Sequence, residues 1–398
     1  MNKKIVVAYS GGLDTSVIIK WLKDNYKCEI IACIVDVGQK ENYEEIKKRA
    51  ILSGASKSYV IDAKEEFAKD YIFPALKANA IYEGKYLLGT ALARPLIAKK
   101  VIDIANKEKA YAVAHGATGK GNDQVRFELS FRVLNPDIKI IAPWREWNLK
   151  SREDEIEYAK KHRIDIPVTT EKPYSTDANL WHISYEGGIL ENLDSSLPED
   201  IFQLTVSPEK APDKPTYIEL SFEKGIPVAI NTKTYSPATL IENLNRIGGR
   251  NGIGRIDIVE NRLIGMKARN IYECPAGTIL HISHRELESL VLDRDTTHYK
   301  ELIALKYAEL IYYGLWYSRL KMCFDNFIEK TQEYVTGSIK LKLYKGNISI
   351  CSRKSKYSLY SKDLATFDRS NYDHKDATGF LKLFGLPLEI ESILRKSK

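Results

Sequence analysis

Residues 4–25 read KIVVAYSGGLDTSVIIKWLKDN. Lys4–Tyr9 is an apolar, β-branched run closed by Gly11 and Gly12, the pattern of a buried strand. Thr15–Asn25 then places Val17, Ile18, Trp21 and Leu22 at helical spacing. A strand, a glycine turn and a helix in direct succession open a βα unit. Glycines let the backbone approach an anion closely, and unpaired N–H groups at a helix N-terminus attract phosphate. Ser10, Thr15 and Ser16 add hydroxyl donors, and Asp14 suits Mg²⁺ held against phosphates. The stretch is not a Walker A loop, because the Gly-Lys-Ser/Thr ending is missing, and it is not GxGxxG.

Outward from this unit the alternation continues. Glu29–Asp36, Lys57–Ile61, Ala110–Ala114 and Ile138–Ala142 read as strands. Glu41–Leu52, Leu92–Asn106, Gln124–Leu134 and Ser151–His162 read as helices, the last with Ser151 and Asp154 spaced like a capping box. Strands that alternate with helices imply right-handed βαβ units and a parallel, Rossmann-like sheet. The pattern changes after about residue 165. Ile166–Asn192 is loop-like, with Pro167, Pro173, Gly187 and Gly188. Tyr217–Glu223 and Pro227–Ile230 read as strands. A helix is expected from Ser236 as N-cap and Pro237 at N1 to Gly248 just past its end. Thr278–Leu292 and Tyr299–Glu329 read as helical, and Ser338–Tyr344 with Asn347–Ser352 as a hairpin around Lys345-Gly346. The second half is therefore α+β. The expected domains are 1–165, 166–365 and 366–398, the last an apolar tail from Phe380 to Leu394 that has to be buried on its own chain or on a second subunit.

A length of 398 residues suits two or three domains. Hydrophobic residues at 44% and charged residues at 28% exclude a mostly disordered chain. No apolar run approaches the ~20 residues of a membrane span. The N-terminus lacks a signal-peptide core, so a cytoplasmic protein is expected. Five cysteines without a CxxC argue against a disulfide framework or a zinc site. The net charge of +7, from 60 Lys and Arg against 53 Asp and Glu, is mild and reads as a solvated surface rather than a nucleic-acid footprint.

A second loop, His115-Gly116-Ala117-Thr118-Gly119-Lys120-Gly121-Asn122-Asp123, follows the strand at Ala110–Ala114. Three glycines among polar residues at the carboxyl end of a parallel strand suit a ligand crevice. Ser-Gly-Gly-x-Asp-x-Ser resembles the pyrophosphate loop of the ATP pyrophosphatase superfamily. At higher specificity the chain resembles the argininosuccinate synthase family along nearly its whole length. The matching strings include AYSGGLDTS (8–16), YEGKYLLGT (82–90), ARPLIAK (93–99), HGATGKGNDQVRFEL (115–129), HISYEGG (182–188) and GIGRIDIVENR (252–262).

The resemblance implies a nucleotide-binding domain, an α+β synthetase domain and a C-terminal oligomerisation helix in a homotetramer. It implies joining of citrulline to aspartate with ATP and Mg²⁺, through a citrullyl-AMP intermediate, with release of AMP and pyrophosphate. Carried over residue by residue, Ala8, Tyr9, Ser10, Gly11, Gly12, Leu13, Asp14, Thr15, Ser16, Val35 and Gly116 bind ATP. Of these Ser10, Asp14, Thr15 and Ser16 act on the phosphates, and Asp14 holds the metal. Tyr86, Ala91, Asn122, Arg126, Ser175, Ser184, Glu260 and Tyr272 contact citrulline. Thr118, Asn122 and Asp123 take aspartate, with Asp123 on its ammonium. Arg126 offers a bidentate fork to a carboxylate. Three positions depart from the family pattern: Ala91 stands where a serine is usual, Cys274 for threonine and Val35 for alanine.

Cys28, Cys33, Trp144 and Trp147 read as packing residues, and His115 as a structural hydrogen-bonding group. A tRNA-thiolating enzyme of the same superfamily requires a reactive cysteine pair and an RNA-binding module, and the sequence offers neither. A regulatory nucleotide-binding protein would bind ATP without forming AMP. No dedicated base for the aspartate amine is visible.

Overall fold

The computed structural model describes residues 3–119, 121–149, 151–164, 174–366 and 372–397. Five strands, β1 (Lys4–Ala8), β2 (Glu29–Asp36), β3 (Lys57–Asp62), β4 (Ala112–Ala114) and β5 (Lys139–Ile141), form a sheet in the order β3-β2-β1-β4-β5. All of its pairings are parallel. Helices cover both faces, so its central strands are continuous apolar runs rather than alternating ones. Ile5 and Val7 face Val17, Ile18 and Leu22 of α1 (Leu13–Tyr26), Ile46 and Ala50 of α2 (Tyr43–Leu52) and Ala159 of α7 (Arg152–Lys161). Val6 and Ala8 face the other way, into a core shared with Leu92 and Leu96 of α5 (Gly89–Glu108). Helix α6 (Asp123–Leu134) joins β4 to β5. The Ser151–Asp154 capping box of α7 is formed as expected.

Between β3 and α5 lies a helical stretch that the sequence reading did not include. It comprises α3 (Lys64–Phe67), one π-turn (Ala68–Ile72) and α4 (Phe73–Lys77). Phe67, Ala68, Tyr71, Ile72, Ala75 and Leu76 are buried at helical spacing.

Two antiparallel sheets follow. One has four strands in the order β11-β12-β7-β6, built from β6 (Ser175–Ala178), β7 (Ile183–Glu186), β11 (Arg255–Asn261) and β12 (Lys267–Glu273). Half of Ile166–Asn192, expected as a loop, is thus a hairpin. Each strand is only four residues long and β6 is polar, so no period stands out. Residues 166–173 of that stretch lie outside the described residues. The other sheet has five strands in the order β10-β9-β8-β13-β14, from β8 (Thr216–Glu223), β9 (Ile226–Ile230), β10 (Lys233–Thr234), β13 (Gly337–Tyr344) and β14 (Asn347–Lys354). The hairpin at Lys345-Gly346 is as expected.

Helix α8 (Pro237–Arg250) runs through Gly248 instead of stopping before it. Gly248 is buried there, and a Cβ would come within 2.9 Å of Pro275 and Ile279, so this glycine serves helix packing on α9 (Pro275–Val291). Ser236 and Pro237 hold the N-cap and N1 positions as expected, but the Ser236 side chain makes no cap hydrogen bond; its hydroxyl donates to Glu65. Tyr299–Glu329 divides into α10 (Arg294–Tyr312) and α11 (Arg319–Thr331). The break is at Gly314, whose φ is +75° and whose Cβ would lie 2.7 Å from the Arg126 Cα.

By its contacts the chain forms two bodies, residues 1–357 and 358–398. The second holds α12 (Lys362–Ala365) and the 21-residue α13 (Asp376–Lys396). Phe380 and Phe384 stack one helical turn apart, and Leu383 and Phe384 are 73% and 72% exposed. Among the described residues no helix is long and apolar enough to cross a membrane.

One buried anion ties the four-stranded sheet to the coil beside it. Glu273, at the end of β12 and fully buried, accepts backbone N–H groups of Gln203 (2.8 Å), Leu204 (2.9 Å) and Thr205 (2.7 Å), together with the hydroxyls of Thr205 and Tyr185. Glu273→Ala strands several donors at once and should cost about 3–5 kcal/mol in urea unfolding, while Glu273→Gln should cost roughly half as much.

Candidate functional site

In the strand order 3-2-1-4-5 the chain leaves β1 for β2 on one side and, after β3, crosses back past β1 to β4 on the other. The chain therefore parts at the carboxyl ends of β1 and β4, which is where open parallel sheets bind ligands. The two glycine-rich loops stand at these two ends. Gly11 has φ +83°, and a Cβ there would meet Ile46 at 2.9 Å, so only glycine fits the turn. Gly12 precedes α1 with no side-chain cap, which leaves the first N–H groups of the helix available to an anion. The Ser10 hydroxyl shares a 3.2 Å hydrogen bond with that of Thr15, and Arg49 donates to the Gly11 carbonyl at 2.6 Å. Gly116 of the second loop packs against α1, where a Cβ would come 3.1 Å from Thr15 and 3.2 Å from Ile18.

Around these loops lies a cavity of about 680 Å³. Residues 8–15 line it, with Val35 at the end of β2, and Gly116 and Ala117 close its floor. Of the expected nucleotide contacts only Ser16 lies elsewhere: it is fully buried, and its hydroxyl hydrogen-bonds the Tyr9 hydroxyl at 2.9 Å. Behind Asp14 sits a group the sequence reading overlooked. Glu155 of α7 is 1% exposed, and its Oε1 has no hydrogen-bond partner. Burial first, and then the adjacent Asp14 carboxyl, push its own carboxyl up to about 9.

A second cavity of about 270 Å³ adjoins the first. Tyr86, Thr118, Asn122, Asp123, Arg126, Ser184, Glu260 and Tyr272 all line it, from the turn before α5, the second loop, α6 and the four-stranded sheet. Glu260 accepts the hydroxyls of Tyr272 and Tyr312, each at 2.9 Å. Burial raises its carboxyl, and the two tyrosine hydroxyls and Arg126 only partly offset that. Asn122 donates to Tyr312 and accepts the Leu263 N–H, both at 2.9 Å, so its amide is oriented from two sides. Ala91 and Ser175 do not line this cavity. Ala91 is fully buried in the first turn of α5, and Ser175 is an exposed residue at the start of β6.

Between the cavities stands a row of charges. Arg94 donates from Nε to Asp123 at 2.8 Å and from Nη2 to Asp177 at 2.7 Å; Arg126 donates to the other Asp123 oxygen at 2.8 Å. Burial alone would raise the Asp123 carboxyl, but the two guanidiniums outweigh it and hold it below the usual carboxylate range. Asp123, expected to meet an ammonium, thus faces two internal cations. Thr90 donates to Asp177 at 3.1 Å and lies 3.0 Å from His182 Nε2. Arg94, Thr90, Asp177, Glu186 and Arg262 are lining residues absent from the sequence-based set. Arg94, Glu186 and Arg262 sit inside the quoted strings, while Asp177 lay in a stretch read as loop. His115 is fully engaged, its Nδ1 accepting from Ala117 N at 3.2 Å and its Nε2 facing Glu128 at 3.3 Å.

A phosphate-type loop at the parting of a parallel sheet, opening onto a polar cavity with its own charges, defines a nucleotide-dependent synthetase. Residues 4–165 match the model of the arginosuccinate synthase N-terminal HUP domain, and residues 174–391 that of the arginosuccinate synthase C-terminal domain. Argininosuccinate synthases of Endomicrobium trichonymphae and Caldanaerobacter subterraneus subsp. tengcongensis are 62% and 63% identical over the whole chain and 96% and 97% of their own lengths. That of Carboxydothermus hydrogenoformans is 61% identical over the whole chain and 99% of its own. The chain belongs to the argininosuccinate synthase family, ATP-dependent ligases that join citrulline and aspartate in arginine biosynthesis.

His182 gives the site a measurable pH signature. It is fully enclosed, stacked 5.4 Å from Tyr272, with its ring so close to Gly89 that a Cβ there would approach to 2.4 Å. Burial, aided by Arg94 and Arg126 against Asp177, pushes its imidazole down to about 4 from 6.5. The unfolded chain therefore takes up the proton first. Its contribution to stability is complete above pH 6.5 and drains away as the pH falls toward 4. Between pH 7.5 and 5 the wild type should lose about 2 kcal/mol more than His182→Gln in urea unfolding.

Proposed function

We propose that the larger cavity takes ATP and the smaller takes citrulline and aspartate, so that the reacting atoms meet at the wall the two share. One observation carries this reading: Arg94, Gly116, Ala117, Asp123 and Asp177 line both cavities. The N–H groups at the start of α1, with the hydroxyls of Ser10 and Thr15, suit the phosphates, and Val35 and Gly116 suit the nucleoside. Ser16 acts from behind by holding Tyr9. Tyr86, Asn122, Arg126, Ser184, Glu260 and Tyr272 form the citrulline side, with Glu260 suited to its α-ammonium. Ala91 stands behind this side, its N–H on the Tyr86 hydroxyl at 3.4 Å, and Ser175 lies at the sheet edge outside the cavity. Thr118, Asn122 and Asp123 form the aspartate side.

In the first step the ureido oxygen of citrulline attacks the α-phosphorus. The developing charge on pyrophosphate is met by donors already in place, and most of the acceleration is positioning and charge stabilisation. In the second step the aspartate amine attacks the ureido carbon of citrullyl-AMP, and AMP leaves. Among the described residues no three metal-ligating side chains cluster, which agrees with a Mg²⁺ site completed by substrate phosphates rather than by a protein cage. Asp14 is the side chain suited to hold the ion, and the unpartnered Glu155 oxygen beside it marks a place short of positive charge. When bound, Mg²⁺ supplies charge neutralisation to the phosphates.

The tail fits a homotetramer, since its apolar residues call for cover. The cytosol suits the five free thiols.

Two experiments test these assignments. Citrulline labelled with ¹⁸O at the ureido oxygen should yield labelled AMP; unlabelled AMP, or ADP as the main product, overturns the adenylate. Truncation before Thr378 should lower the mass seen by light scattering to that of a smaller oligomer or monomer. An unchanged subunit count would dismiss the arm.

A further inference from the structure

The aspartate amine still needs a partner that can orient it and take a proton. Asp123 is poorly placed for this, because each of its oxygens accepts a guanidinium and the three groups together carry a net positive charge. That is a setting for the carboxylates of aspartate. Asp177 differs in three ways. It lines both cavities, at the wall where an amine would reach the ureido carbon whose oxygen carries the adenylate. Its two side-chain hydrogen bonds, from Arg94 and Thr90, both end on Oδ2, and among the described residues none reaches Oδ1. Its side chain is 36% exposed, and two further carboxylates, Glu41 and Glu186, lie close enough to feel its charge, the latter paired with Arg262. Arg94 and Thr90 also fix the carboxylate plane, so the free oxygen is held in one direction.

We infer that Asp177 binds the α-ammonium of aspartate through Oδ1 and is the base for the second half-reaction. In this step one proton passes from the ammonium to the Asp177 carboxylate, which frees the nitrogen lone pair. That pair forms the new C–N bond to the ureido carbon. The C–O bond to the phosphate breaks, and its electron pair leaves on AMP. The inference rests on the proposed order of adenylation before ligation.

The two halves can be measured apart. Citrulline-dependent exchange of labelled pyrophosphate into ATP needs no aspartate, whereas argininosuccinate formation does. Positioned proton transfer is worth about 10²–10⁴ in rate. Asp177→Asn should lower ligation by at least about 100-fold and exchange far less, so that the ratio of ligation to exchange drops at least about 30-fold. An equal fall in both would make Asp177 a mere support for Arg94 and overturn the inference. Absence of exchange in the wild type would instead sink the adenylate order itself. Should Asp177→Asn fail to fold, wild-type crystals with aspartate and citrulline decide. The aspartate nitrogen is expected within about 3.2 Å of Asp177 Oδ1, and a nitrogen seated on Asp123 would refute the assignment.

Discussion

The guanidinium of Arg94 is the joint on which the site depends. It rises from α5, whose far face is packed beneath the parallel sheet. From there it reaches Asp123 at the head of α6 and Asp177 on β6. These residues belong to different layers, and among the described residues no other side chain forms ion pairs with both. A largely buried guanidinium is a poor source of stability, because desolvation opposes the Coulomb gain. Its value lies in geometry. A fork with two fixed directions sets the distance between the sheet that carries the phosphate loop and the sheet that carries Glu260 and Tyr272, and so the distance between two substrates.

Around that joint the molecule is built from rigid contacts in which space is the controlling quantity. Gly11 lets the loop pass Ile46, Gly116 lets the second loop rest on α1, Gly89 makes room for the ring of His182, and Gly314 admits the backbone of Arg126. At Gly11 and Gly314 the backbone also takes a positive φ that a side chain would strain. Tyrosines supply the remaining walls: Tyr82 stacks on Tyr312 at 3.7 Å and Tyr86 on Tyr272 at 4.4 Å, and the hydroxyls of the outer pair, Tyr272 and Tyr312, converge on Glu260. Such a wall excludes water and orients the carboxylate without relying on a flexible chain.

The charges follow the same logic of division. Arg94 is shared between Asp123 and Asp177; beyond it, Arg126 adds positive charge on the Asp123 side, while Glu41 and Glu186, the latter paired with Arg262, add carboxylates on the Asp177 side. A substrate bearing carboxylates and an ammonium can be oriented by that gradient before any reaction. The Asp14–Glu155 pair behind the phosphate loop is a separate device. Two carboxyl groups held together in a buried place favour the arrival of a cation or a proton.

Much of this was legible in the order of residues. The run from Lys4 to Asn25 determined a strand, an anion loop and a helix, because hydrophobic period and glycine placement act over a few residues and need no partner. The alternation to residue 162 determined the parallel sheet for the same reason, and the quoted strings carried the family and most lining residues. Tertiary structure alone decided what depends on contacts between distant segments. Polar β6 is a strand only because β7 pairs with it. Gly248 is a packing residue rather than a helix stop only because α9 lies against it. Asp123 is neutralised only because Arg94, 29 positions earlier in the chain, reaches it. Asp177 and Glu155 gained their places in the site in the same way: a carboxylate's role is set by which charges surround it and how much water is excluded, and neither is written in its neighbours along the chain.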